Sequence, residues 1–376
     1  MHSPVQNNSS SRGSFQRASA RHLAVVAACS ALLSQAVAQP QSTAADLQAC
    51  LGLQPDSARL ACYDRQAGRE AMVTLPASPV VEPGTAEAQP QTPAAAPVVK
   101  QQSDSFLSRY WELDDQDKRG TFNYTGYRPN VFMPLHQMRE VNRTPSSPTR
   151  GQAASLPKYK HGEAKIQLSL RSKVLEDVLL PGADLWVAYT QQSMWQLWNP
   201  GESAPFRNTD YQPEAIFVVP TPEAWRNLPL GWAWRMSQLG IVHQSNGQPD
   251  PLSRSWNRVY GVLGFERQDL VLSFRLEQRL EKDSDERDDN PDIVDYLGRT
   301  EVQLAWSPGR ATSALTWRPG SSGKGSLQYD WSYPVNKERP DGLRWYVQLF
   351  HGFGETLLDY NFRQTSLGLG VTIFKF

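Results

Sequence analysis

From about residue 164 to the C-terminus, apolar side chains recur at every second position. Ile166, Leu168 and Leu170 alternate with Lys165, Gln167, Ser169 and Arg171, and Leu270, Leu272, Phe274 and Leu276 alternate with Ser273, Arg275 and Glu277. Val302, Leu304 and Trp306 face away from Glu301 and Gln303, as Leu327, Tyr329, Trp331 and Tyr333 do from Gln328, Asp330 and Ser332. A period of two belongs to strands with one apolar and one polar face. Roughly twelve such runs are expected: 164–174, 184–197, 214–220, 231–245, 256–266, 269–278, 297–306, 311–317, 326–333, 343–350, 356–363 and 366–376. Several approach the about nine to eleven residues with which a tilted strand crosses a bilayer. Short turns (Arg267-Gln268, Ser307 to Arg310) read as alternating with long polar ones (Glu281 to Asp295, Pro334 to Asp341), as in a barrel with short turns at one end and long loops at the other. The expected fold class is all-β, a transmembrane antiparallel β-barrel of about twelve strands behind an exported N-terminal extension.

A soluble β-sandwich also alternates. Against it stand Trp and Tyr near the run ends, where a membrane interface favours them, and Lys, Arg, Glu and Gln on the opposite faces, as in a polar lumen. The last run also ends on an aromatic, Phe374-Lys375-Phe376, which resembles the assembly signal of bacterial outer-membrane proteins. Mean hydropathy is −0.53. After the N-terminus no apolar run approaches the roughly 20 residues of a spanning helix, which excludes helical membrane proteins but says nothing of a barrel. With 38 basic and 38 acidic residues, no charge imbalance points to nucleic acid.

Residues 1–38 read as a secretory signal: Arg12, Arg17 and Arg21 precede the apolar stretch Leu23 to Ala38, which closes on the small-x-small pattern Ala36-Val37-Ala38. Export makes a disulfide the expected state of Cys50 and Cys62 in the small segment 39–73, since a metal site would want further Cys or His nearby. Residues 74–104, with Pro76, Pro79, Pro83, Pro90, Pro93 and Pro97 among Ala, Val, Thr and Glu, have the composition of an extended linker. The barrel is then assigned to 105–376, with the aromatic stretch from Ser105 a lead-in that packs at one end of it or inside it.

One stretch carries recognisable chemistry, HQSNGQPDPLSRSWN from His243 to Asn257. His243 and Ser245 are two apart near the end of a strand, so their side chains leave the same face. Asn257 opens the next run after a turn, and a hairpin would bring it beside the histidine. That is a nucleophile, a base and a group to orient the base. His243 and Ser245 share their face with Leu239 and Ile241, and Asn257 shares its face with Val259, Leu263 and Phe265, although Arg235 and Ser237 interrupt the pattern farther back. In a barrel the apolar face is the outside, so the site would face lipid, and lipid becomes the expected substrate. Gly247 and its loop could offer N–H groups to an oxyanion. Asp250 to Ser255 holds hard oxygen ligands but one carboxylate, at best a weak calcium site unless a second chain adds ligands. A passive pore would carry its polar triad toward the lumen, and a soluble secreted esterase would extract into buffer without detergent.

HQSNG followed by DPLSRSWNR resembles the signature of bacterial outer membrane phospholipase A, a calcium-dependent lipase family. RYWELDDQDKRGTFNYTGYRPN, QSMWQLWN with ESAPFR, and LLDYNFRQTSLGLGV resemble further family segments, in order, across about residues 105 to 376. The resemblance implies a barrel of about twelve strands, a homodimer as the active state, Ca2+ as cofactor, and fatty-acid release from either glycerol position of phospholipids and lysophospholipids. It implies His243, Ser245 and Asn257 as the triad, Gly247 at the oxyanion position and Ser253 as a calcium ligand. It further implies Ser203 as a ligand from the partner subunit, Gln191 as a buried interface residue and Asp250 as an acid near the metal. Gln248 stands where the family commonly has an arginine whose backbone carbonyl binds calcium, and a carbonyl survives substitution.

Overall fold

The computed structural model describes residues 50–53, 56–66, 103–280 and 288–373. The chain divides into a unit of residues 1–94 and a unit of residues 95–376. In the first, helix α1 (Asp56–Gln66) carries Cys62, which is bonded to Cys50 with the Cα atoms 5.7 Å apart. The expected signal segment, most of the linker and the terminal Phe374-Lys375-Phe376 lie outside the described residues.

The second unit is a closed barrel of antiparallel strands, each paired with its neighbours in sequence. They are β1 (Val131–Met138), β2 (Gly162–Leu175), β3 (Asp184–Trp195), β4 (Phe206–Pro220), β5 (Ala233–Ser245) and β6 (Ser255–Arg267), followed by β7 (Leu270–Leu280), β8 (Thr300–Trp306), β9 (Thr312–Pro319), β10 (Gly325–Pro334), β11 (Arg344–Gly352) and β12 (Gln364–Thr372). β12 pairs with β1, so no edge is left within the wall. Closure is what hydrocarbon demands, because an open edge would leave N–H and C=O groups without partners.

The number of strands is as expected, but two assignments were wrong. Residues 356–363 are a loop, in which Thr356, Leu357, Leu358, Asp359 and Tyr360 are buried in succession and the run folds into turns, with Tyr360 N–H donating to Leu357 O and Phe362 N–H to Asp359 O. The missing strand is β1, within the expected lead-in. Its sequence, VFMPLHQM, hides the period: Val131, Met133, His136 and Met138 are buried while Phe132 and Leu135 are exposed, and a bulge opposite β2 shifts the parity around Pro134. A proline within a strand is tolerated at such an irregularity. The loops also sort differently: 335–343 lies at the same barrel end as the short turns 268–269 and 307–311. The loops 139–161, 196–205, 246–254, 320–324 and 353–363 and the described segment 288–299 form the opposite end.

Along the wall the alternation holds: Leu168, Leu239, Ile241, Leu276, Leu304 and Leu349 point outward and are exposed. The interruption at Arg235 has a local cause, a bulge between Trp234 and Met236 in the β5–β6 pairing. The extra residue turns Arg235 into the lumen, where it meets Asp114 at 2.6 Å and Glu266 at 3.3 Å. Inside, charges are paired: Arg128 and Tyr260 reach Glu214, the Arg275 guanidinium lies 3.5 Å from the centroid of the Tyr260 ring, and Arg318 meets Glu301. The end away from the site is filled by helix α2 (Phe106–Trp111), whose Leu107 and Trp111 pack on Trp186, Ile216, Val218 and Met236. Ser105 caps it by accepting from Ser108 N–H.

Arg207 illustrates how the loops of the site end are fixed. Fully buried, it donates to Glu163 through Nε at 2.9 Å and Nη2 at 3.0 Å and to Asp359, in loop 353–363, through Nη1 at 2.7 Å. Arg207→Ala should therefore leave two buried carboxylates without their cation and cost about 3–5 kcal/mol. Reversible urea unfolding in lipid vesicles checks this, with Arg207→Lys expected to fall between the two.

Candidate active site

The pairing of β5 with β6 sets His243 directly opposite Asn257 and Ser245 opposite Ser255. All four side chains share the outward face of the wall. His243 Nδ1 lies 2.7 Å from Asn257 Oδ1, and both residues are exposed. An amide oxygen can only accept, so this contact makes Nδ1 the protonated nitrogen and leaves Nε2 with its lone pair. Ser245 Oγ accepts from Gly247 N–H at 3.1 Å. No hydrogen bond joins the His243 ring to Ser245, so histidine and serine are neighbours on one face without being coupled.

Gly247 has φ +61°, and a Cβ there would stand 3.2 Å from Tyr211 Cε2, so both backbone and space favour glycine. Tyr211 is itself paired with Ser245 on one side and with Gln191 on the other. Gln191 thus lies on the outer wall in the same cross-strand row as Ser245, accepting from Tyr189 Oη at 3.2 Å and donating to Ser193 Oγ at 3.4 Å.

The loop 246–254 is braced from within by Asn246, which is buried. Its Oδ1 accepts from Gln248 N–H at 3.3 Å and Arg254 N–H at 2.9 Å, and its Nδ2 donates to Leu252 O at 2.8 Å. Arg254, fully buried, donates through Nη1 to Pro251 O and Ser253 O and lies 5.8 Å from the Tyr360 ring. Beneath the loop, Trp256, Ile293, Leu357 and Tyr360 form an apolar cluster. Burial and the Asp292 carboxylate that it donates to push the Tyr360 phenol well above its usual range, so it stays a donor.

Of the expected metal residues, the structure gathers some and separates others. Ser253 Oγ donates to Asp289 Oδ2 at 2.9 Å, and Ser255 Oγ donates to the same oxygen at 3.2 Å. Arg150 bridges Asp289 at 3.0 Å and the more exposed Asp250 at 3.4 Å. Ser203 stands on the neighbouring loop 196–205, exposed and with φ +59°, and no hydrogen bond ties it to Ser253. Gln248 places its N–H on Asn246 as described. Hydroxyls, two carboxylates and loop carbonyls are hard oxygen donors of the kind that suit Ca2+. No group of three or more His, Cys, Asp or Glu suited to a metal occurs among the described residues, so such a site would draw on hydroxyls, carbonyls, water or a second chain. Asp289, Arg150 and Asn246 were not singled out from the sequence. Asn246 could have been, as a short polar side chain inside a turn, whereas the other two reach the loop from segments remote in the chain.

A family model described as phospholipase A1 matches residues 107–373. The chain belongs to the phospholipase A1 family. It is 36% identical over 353 residues to a relative in Neisseria meningitidis serogroup B assigned to phospholipase A1, covering 86% of this chain and 89% of that one. With the phospholipase A1 of Escherichia coli K12 it shares 37% identity over 212 residues, 56% of this chain and 69% of the other. Among solved structures it is similar to the outer membrane phospholipase A of Escherichia coli, at 31% identity and TM-score 0.57 over 66% of this chain and 92% of that one. It is also similar to a Salmonella typhi outer membrane phospholipase dimer with bound calcium, at 31% identity and TM-score 0.58, covering 68% and 93%. The phospholipase A1 barrel is thus that of an ester hydrolase, a multi-pass protein of the outer membrane.

Because Asn246 alone satisfies three backbone groups of the loop, Asn246→Ala should expose them at about 1–3 kcal/mol each at most. Hydrogen exchange at the Gln248 and Arg254 amides is expected to quicken by about ten-fold or more, with exchange in the barrel strands unchanged.

Proposed function

We propose that this phospholipase hydrolyses acyl esters at both glycerol positions (A1 and A2) of phospholipids and lysophospholipids, with Ser245, His243 and Asn257 as its triad, Ca2+ as its cofactor and a homodimer as its active state. The observation that carries the reading is the His243–Asn257 contact of 2.7 Å on the lipid-facing wall, beside Ser245. Asn257 holds the imidazole with Nε2 basic. As Ser245 Oγ bonds to the ester carbonyl carbon, Nε2 takes its proton and then returns it to the departing glycerol oxygen. Water, deprotonated by the same nitrogen, releases the fatty acid and restores Ser245. Gly247 N–H, now on Ser245 Oγ, lies where it can turn to the carbonyl oxygen as charge develops there.

Ser253, Asp250 and the carbonyl of Gln248 would hold the calcium, with Ser203 contributed by a second copy and Gln191 lying between two barrels. When bound, the ion supplies positive charge near the developing oxyanion. A neutral asparagine as third member is less costly to place beside lipid than a carboxylate. Within the same proposal, residues 1–38 are an export signal, 39–73 a small exported head and 74–104 its linker.

The test is fatty-acid release from mixed phospholipid–detergent micelles by the detergent-folded protein. Ser245→Ala should abolish release while the barrel still shows heat-modifiable migration, and Asn257→Ala should lower release by about 100-fold or more. Retained activity in Ser245→Ala removes that residue from the mechanism. Chelator, and separately dilution, should each silence the wild type. Release insensitive to both removes calcium and dimerisation from the reading and leaves the triad standing.

A further inference from the structure

On the outer wall, separated from the His243–Asn257 pair by β7 and β8, the strands β9, β10 and β11 carry a hollow that the catalytic reading does not use. Trp317, Leu327 and His351 make one cross-strand row, Trp317 opposite Leu327 and Leu327 opposite His351. Leu315, Trp317 and Leu327 are all exposed to the membrane side. At the end of this row nearest the site loops, Gly323, Gly325 and Gly352 withhold their side chains. The backbones of Gly325 and Gly352 approach so closely that a Cβ on Gly352 would fall 2.2 Å from Gly325 O. What remains is a hollow of about 480 Å³ with an apolar floor, rimmed by Lys324, His351 and Arg363.

The rim is basic and is held in place by rings. Lys324 Nζ lies 3.7 Å from the Tyr296 ring centroid and the Arg363 guanidinium 5.6 Å from that of Phe353, while the two rings pack at 5.2 Å. His351 Nδ1 is 2.8 Å from Thr365 Oγ1. Among the described residues no carboxylate lies within ion-pairing distance of Lys324 or Arg363, and Asp295, in the same loop as Tyr296, is engaged by Ser321 Oγ at 3.4 Å. This contrasts with the lumen, where Arg128, Arg207, Arg235, Arg275 and Arg318 each have an acidic partner. Two cations on the rim of one hollow, each set over a ring and without a carboxylate partner among the described residues, above apolar side chains that face hydrocarbon, complement a molecule that is anionic at one end and apolar along the rest. A free anion would answer the rim and leave the floor uncovered.

We propose that this hollow binds an anionic, phosphate-bearing lipid, its phosphate between Lys324 and Arg363 and an acyl chain along Trp317, Leu327 and Leu315. The site is independent of the triad and does not rest on the catalytic proposal.

The experiment is native mass spectrometry of the detergent-folded full chain with diether phosphatidylglycerol or diether phosphatidylcholine, whose ether links resist ester hydrolysis. The wild type should retain phosphatidylglycerol at least five-fold better than phosphatidylcholine. Lys324→Gln with Arg363→Gln should erase that preference, and Lys324→Arg should keep it. Heat-modifiable migration establishes that each variant is folded, and should the double variant not fold, the comparison of the two lipids on wild type and Lys324→Arg still decides. Equal retention of the two lipids by the wild type, or an unchanged preference in the folded double variant, overturns the proposal. Displacement of the phosphatidylglycerol by millimolar inorganic phosphate would make this a free-anion site and would overturn the lipid assignment.

Discussion

The backbone of a membrane-spanning strand has no water to bond to, so every N–H and C=O in the hydrocarbon must find a partner in the chain. The pairing of β12 with β1 meets that demand, and the rest of the molecule follows from it. Once the ladder is closed, side chains have only two places to go. Apolar ones face lipid and charged ones face the lumen, where they pair. The interior is accordingly a polar network around a cavity of about 680 Å³, stiffened by contacts such as Arg128–Glu214 and Arg275 over Tyr260. At the end filled by α2 an apolar cluster gathers around Trp111 and Trp186, and a second one, around Trp256 and Tyr360, lies beneath the site loops.

A wall offers no deep cleft, so a site on it must be built from strand register. His243 and Asn257 meet because they are cross-strand partners, and a slip of one residue would carry Asn257 into the lumen. The bulge near Trp234 shows how strictly this works. One extra residue sends Arg235 inward, yet from Ser237 to Ser245 the parity that serves the site is intact. Rigidity of the ladder thus fixes His243 against Asn257, while the loop held by Asn246 and Arg254 determines where Gly247 and Ser253 stand.

Much of this was legible in the alternation itself, because a period of two with apolar and charged faces has few other solutions. What misled was local chemistry that breaks the period. β1 carries apolar residues on both faces, a proline and a bulge, so VFMPLHQM does not alternate, whereas residues 356–363 mimic a strand while their consecutive burial serves a loop. At the site, the spacing of His243, Ser245 and Asn257 and the parity of their neighbours placed them together on the outer face. Asp289 and Arg150 were invisible because loops from opposite halves of the sequence bring them to Ser253 and Asp250. The hard oxygens of the loop Asp250 to Ser255 were visible in the sequence, the roles proposed for Ser253 and Asp250 came from the resemblance, and Asp289, which accepts from Ser253, was not among them.

Fixed wall and separate loops divide the chemistry unequally. The strands deliver His243 with Nδ1 on Asn257 and Nε2 free, but Ser245 Oγ is occupied by Gly247 N–H, and Asp289 and Asp250 near Ser253 share the single cation of Arg150. In the proposed reading, therefore, the groups that must change partner for turnover are Gly247 N–H and the carboxylates beside Arg150, and they lie on loops or answer to them. Such rearrangements leave the ladder untouched. An enzyme immersed in its own substrate can then be held silent or released by changes at the loops, at the cost of a few hydrogen bonds rather than of the barrel.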